Sequence, residues 1–118
     1  MISFRLFGYP VRIQWFFWLL CLLLGAGYLE IGGSKGFTLF LISTSVIFLS
    51  ILLHEFGHAW ARKLFREPYS EITLHGFGGY CSGPGHFTRQ ESIFISAAGP
   101  LVNVALALIA FLAPYLFP

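Results

Sequence analysis

Ile51-Leu52-Leu53-His54-Glu55-Phe56-Gly57-His58-Ala59-Trp60-Ala61-Arg62-Lys63 closes a long apolar run and sets three chemistry-bearing side chains into it. On a helix, residues four apart share one face with Cβ atoms about 5–6 Å apart. His54 and His58 can therefore reach one metal ion together, each at about 2.0–2.1 Å. Glu55 stands about 100° round the helix from His54. That offset makes it a poor third ligand and a good neighbour of an activated water, the general-base position of His-Glu-x-x-His metallohydrolases. A plain interhelical hydrogen bond or axial haem ligation would use two histidines but has no need of a Glu after the first.

Around this stretch the composition is that of a bilayer protein. Hydrophobic residues make up 57% of the 118 residues and charged residues 10%, against about 25% charged in soluble domains. The length fits one domain. The net charge of +2 is small and dispersed, with no Lys/Arg cluster interleaved with aromatics, so no nucleic-acid partner is expected. Cys21 and Cys81 lie in segments of different character without Cys-x-x-Cys spacing, and no disulfide is expected.

Taken in order, the chain predicts a mainly α, polytopic membrane protein. Residues Met1–Gln14 alternate weakly around Gly8-Tyr9-Pro10, a pattern for two short strands and a turn. Ile13 to Leu29 carries no charge and has Trp15, Trp18 and Tyr28 near its ends, which predicts a first transmembrane helix over about 13–31. Glu30–Gly36 reads as a turn. A second span, about 37–64, carries the motif near its exit and is stopped by Pro68. Tyr69–Phe87 alternates through Glu71-Ile72-Thr73-Leu74-His75 and then meets Gly76, Gly78 and Gly79, which reads as a membrane-associated β-hairpin over about 69–87. Its free edge is a place where an extended peptide could pair.

Thr88-Arg89-Gln90-Glu91 has capping-box spacing and opens a third span, about 90–113. Ala97-Ala98-Gly99-Pro100 brings small residues for close helix packing. Asn103 lies one turn on, placed either to join helices or to point at the metal site. Basic residues flank the first span on its N-terminal side and gather between spans two and three. The positive-inside rule then puts the N-terminus in the cytoplasm and the metal shallowly toward that face.

Four features, in this order, resemble the site-2 protease family of intramembrane metalloproteases. They are Leu6-Phe7-Gly8-Tyr9-Pro10-Val11-Arg12-Ile13, His54-Glu55-Phe56-Gly57-His58, Gly76-Phe77-Gly78-Gly79 and Ala98-Gly99-Pro100-Leu101-Val102-Asn103. The resemblance implies zinc on His54 and His58, Glu55 as general base, and a hairpin around Gly78 and Gly79 that guides the substrate. Gly78, Gly79 and Asn103 are the expected substrate-binding positions. The implied substrate is a transmembrane protein segment, cut near the cytoplasmic face of the lipid bilayer.

In that family the third zinc ligand is an Asp in a later Asp-Gly motif, and this sequence contains no Asp: its five acidic residues are Glu30, Glu55, Glu67, Glu71 and Glu91. Glu71, His75 or His86 could substitute by folding back. The alternative expectation is that residues 1–118 form a single membrane domain that is the first part of a longer core, or that a second chain supplies the ligand. A rival reading of another class is a non-catalytic membrane module that keeps two ligands and binds a membrane partner.

Overall fold

Leu6 and Tyr9 close the first hairpin. In the computed structural model, which describes residues 1–117, the N-terminal strands are β1 (Ile2–Leu6) and β2 (Tyr9–Ile13). Phe7 and Gly8 between them have φ of +52° and +85°, the left-handed pair whose twist suits a two-residue hairpin. The turn is thus one residue earlier than Gly8-Tyr9-Pro10. Pro10 lies inside β2 opposite Arg5. It is tolerated because β2 gains its second neighbour only from Val11 onward, so the missing N–H interrupts no bond on that side.

Gln14 turns the chain into α1 (Trp15–Leu29), and its N–H donates to the carbonyl of Leu74 at 2.9 Å. Phe17, Cys21 and Gly25, at four-residue spacing, form the buried stripe of α1. At Gly25 a Cβ would stand 2.9 Å from the Phe40 ring, so the absent side chain sets how closely the next helix approaches. At 15 residues, α1 is about 22 Å long, short of the roughly 30 Å hydrocarbon layer.

α2 (Gly33–Leu64) starts four residues before the expected Phe37. Gly36 makes this possible, since a Cβ there would lie 2.7 Å from the Tyr28 carbonyl oxygen. The helix does not wait for Pro68 to end it. Arg66 adopts φ +74°, the Glu67 N–H donates to the Arg62 carbonyl at 3.0 Å, and the Arg66 N–H to the Lys63 carbonyl at 3.1 Å. That pair of bonds is a Schellman motif with arginine in the position glycine usually fills.

β3 (Glu71–His75) and β4 (Gly78–Ser82) form the expected hairpin. It is not a separate element, because β3 also pairs parallel with β2, Val11 opposite Ile72 and Ile13 opposite Leu74. The result is one four-stranded sheet in the order β1-β2-β3-β4, with α1 and α2 as the crossover that a parallel pair requires. Val11, Ile13, Ile72 and Leu74 on one sheet face pack with Phe17, Cys21 and Leu52 into the buried core. Burying each large aliphatic or aromatic side chain stabilises by about 1.5–3 kcal/mol over leaving it in water.

α3 (Arg89–Leu116) opens with both bonds of the predicted capping box: the Thr88 N–H donates to Glu91 Oε1 at 2.8 Å and the Glu91 N–H to Thr88 Oγ1 at 3.2 Å. The helix carries Pro100 and Pro114 within it rather than stopping at the latter. α2 and α3 are each long and apolar enough to cross a membrane, and only 11% and 6% of their apolar stretches is fully buried. Among the described residues the chain is thus mostly helical, with three helices and one small sheet.

Candidate metal centre

The buried side chains at the C-terminal end of α2 include Leu52, Glu55, Ala59 and Arg62. His54, Glu55 and His58 gather there, each offering a ligand atom, all within 4.8 Å of one another. The two imidazoles meet edge-to-face, with their Nε2 atoms 3.2 Å apart.

What the Nδ1 atoms do settles what the Nε2 atoms can do. His58 Nδ1 lies 2.7 Å from the Ile95 carbonyl oxygen, which only accepts, so Nδ1 carries the proton. His54 Nδ1 bonds Asn103 Oδ1. The Asn103 amide is oriented by its own donor, since Nδ2 donates to the Ser50 carbonyl at 3.2 Å and to Ser50 Oγ at 2.9 Å, leaving Oδ1 to accept from His54. With Nδ1–H so engaged, it is Nε2 of each ring that is left to offer a lone pair, and the two Nε2 atoms turn to one point between α2 and α3. Two facing lone pairs repel unless a cation stands between them, and an Nδ1–H held by an oxygen is the usual outer-shell support of a metal-binding histidine. The donor set fits a borderline metal such as zinc.

Two glycines let the helices come this close. A Cβ at Gly57 would lie 2.8 Å from both the Ala98 carbonyl oxygen and Val102 Cγ2, and one at Gly99 would lie 2.5 Å from His58 Nε2 and 2.7 Å from His54 Nε2. Gly99 thus leaves free the volume in front of the imidazoles. Pro100 beside it has no N–H, which leaves the Ser96 carbonyl without its helical partner. Ser96 and Ile95 both border the groove on this side.

β4 covers the other flank. Gly79 stands over Glu55, where a Cβ would come within 3.2 Å of Glu55 Cγ and 3.1 Å of Ile51 Cγ2. Two clefts open from this point, one of about 560 Å³ toward Phe77, Gly78 and Asn103 and one of about 370 Å³ toward Arg62, Tyr80 and Cys81. Both are bordered by His54, Glu55 and Gly79. Glu55 is only 4% exposed. Burial pushes the Cys81 thiol up, so it stays protonated at neutral pH and is a poor ligand or nucleophile.

The positions expected from the sequence separate here. His54, Glu55 and His58 converge; Gly78, Gly79 and Asn103 line the adjoining cleft. Asn103 does both things open to it, joining α3 to α2 through Ser50 and holding His54. Glu71, His75 and His86 do not join the cluster. Glu71 accepts from the Tyr69 hydroxyl, which together with burial and the Glu71 charge pushes the exposed Tyr69 phenol up. His75 Nδ1 accepts from the Phe77 N–H at 3.1 Å. Arg62, a basic residue near the exit of the motif helix, is buried beside the motif. Its spacing from His58, one turn on, was the available signal.

Two imidazoles and a carboxylate on one helical turn, supported from a second helix, define the His-Glu-x-x-His class of metallopeptidases. Residues 42–118 match the family model for peptidase family M50, and the chain belongs to that family, the site-2 proteases, which are membrane metalloproteases. No curated protein and no solved structure matches it.

Proposed function

We propose that this chain carries the zinc-binding and proton-transfer half of an intramembrane metalloprotease that hydrolyses a peptide bond in a transmembrane substrate near the cytoplasmic face. The observation that carries the reading is the pair of imidazoles, each held through Nδ1–H and each turning Nε2 to the same point beside Glu55. His54 and His58 hold the metal, and Asn103 and the Ile95 carbonyl fix their tautomers. Bound there, zinc would polarise the scissile carbonyl and bring a water's pKa to about 7. The Glu55 carboxylate takes the proton of the attacking water and delivers it to the leaving amine.

Catalytic zinc normally has three protein ligands, and the described residues bring together only His54, Glu55 and His58. The third ligand comes in this reading from a later segment or from a second chain. All three helices cross the bilayer with the N-terminus in the cytoplasm, α1 being accommodated by local thinning or by its flanking residues. The free edge of β4, above Glu55, pairs with the unwound substrate, whose backbone groups need new partners once its helix opens.

Zinc content of the purified chain, compared with His58→Ala, tests the metal. Near one zinc per chain, lost in the variant, is the expected result. Glu55→Gln should keep the metal and lose turnover of a membrane substrate; cleavage at the wild-type rate would assign the base elsewhere. Little zinc in either protein means that the site awaits its third ligand from another segment or chain, or that the chain is a non-catalytic module, because a two-histidine site yields its metal readily to chelators.

A further inference from the structure

Arg62 lies one turn beyond His58 and is 8% exposed. Its Nε–H donates to Ser70 Oγ at 2.9 Å, and Nη2 donates to the carbonyls of Pro84 at 2.7 Å and Tyr69 at 3.4 Å. The Phe87 ring covers the guanidinium at 5.2 Å. Gly83 is needed for this wrap, since a Cβ there would lie 2.6 Å from Nη2. Every partner is neutral. Among the described residues no carboxylate lies within ion-pair distance, and Nη1 alone of the three guanidinium nitrogens has no acceptor, although it is not sealed from solvent. Arg62 lines the groove that His54, Glu55 and His58 also border.

A buried cation with neutral partners is incompletely compensated, and a carboxylate arriving at its free nitrogen gains a charge-assisted bond in a low-dielectric site. Lys could serve as a headgroup-facing charge; a guanidinium fixed by three acceptors, with one fork left open, is suited to a planar anion. We infer that Arg62 Nη1 is a substrate-recognition group that binds a carboxylate side chain on the peptide lying in the groove. Arg62 is about 6 Å along α2 from His58, the reach of about two residues of extended chain. The preferred substrate therefore carries Asp or Glu about two residues from the cleaved bond. This rests on the reading of the groove as a peptide-binding cleft.

The test uses the zinc-loaded Glu55→Gln chain in detergent, which does not consume the probe. A short, otherwise uncharged fluorescein-labelled peptide carries one Glu moved position by position, each compared by anisotropy with its Gln twin. The Glu peptide should bind on the order of ten-fold more tightly at one position. Adding Arg62→Gln should abolish that difference while leaving the Gln twin's affinity unchanged; a purely structural role would weaken both twins alike. Arg62→Lys, which keeps the charge and loses the fork, should retain part of the preference and serves if Arg62→Gln does not fold. No preference at any position, or a preference that survives Arg62→Gln because the carboxylate sits on the metal, overturns the assignment. Hydrolysis by the wild-type chain is scored separately. A Glu preference without cleavage by a chain that retains its zinc removes the protease reading and leaves the carboxylate site, whereas cleavage without a preference does the reverse.

Discussion

Asn103 is the residue through which α3 reaches the chemistry. It accepts from His54 and donates to Ser50, so its loss frees the imidazole to rotate and to change tautomer. Asn103→Ala should weaken zinc binding by about 10–100-fold, the usual cost of removing an outer-shell partner, without touching Glu55. Competition with a zinc-sensitive dye measures it, and an unchanged affinity would assign the tautomer to other contacts. Gly99→Ala should be harsher, because its methyl carbon would enter the space before both Nε2 atoms. Loss of zinc with α3 still helical by circular dichroism is the expected result.

The ends of the helices depend on local chemistry more than on apolar pattern. Thr88→Ala removes one half of the capping box and should cost about 1 kcal/mol, read as a lowered Tm in detergent. Arg66→Gly should act in the opposite direction. At φ +74° a side chain costs about 1–2 kcal/mol that glycine avoids, partly offset by glycine's greater freedom when unfolded. A fall in Tm for Arg66→Gly would mean that the Arg66 side chain makes contacts outweighing its backbone strain.

For the molecule as a whole, the parallel pairing of β2 with β3 ties the first residues of the chain to the hairpin over the metal centre. Removing Met1–Gln14 takes away Val11 and Ile13, strips the core face from Ile72 and Leu74, and turns β3 into an edge. Amide exchange in β3 and β4 should then accelerate while the α2 amides stay protected. Unchanged exchange in the hairpin would show that α2 alone holds it.

The sequence by itself determined the motif helix, the two long apolar helices, the capping box and the presence of a hairpin, because each is written in local spacing. His54 and His58 share a face by helical period, Thr88 and Glu91 reach each other within one turn, and alternation with glycines marks strands and bends. The tertiary structure alone decided how distant segments meet. Nothing local pairs Val11 with Ile72, sets Asn103 against His54 across 49 positions, or buries Arg62 among the carbonyls of Tyr69 and Pro84. A charged residue at a helix end reads as solvent-facing until the chain wraps over it. Those meetings follow from helix packing at Gly57 and Gly99 and from the sheet register, which are properties of the folded whole rather than of any window of sequence.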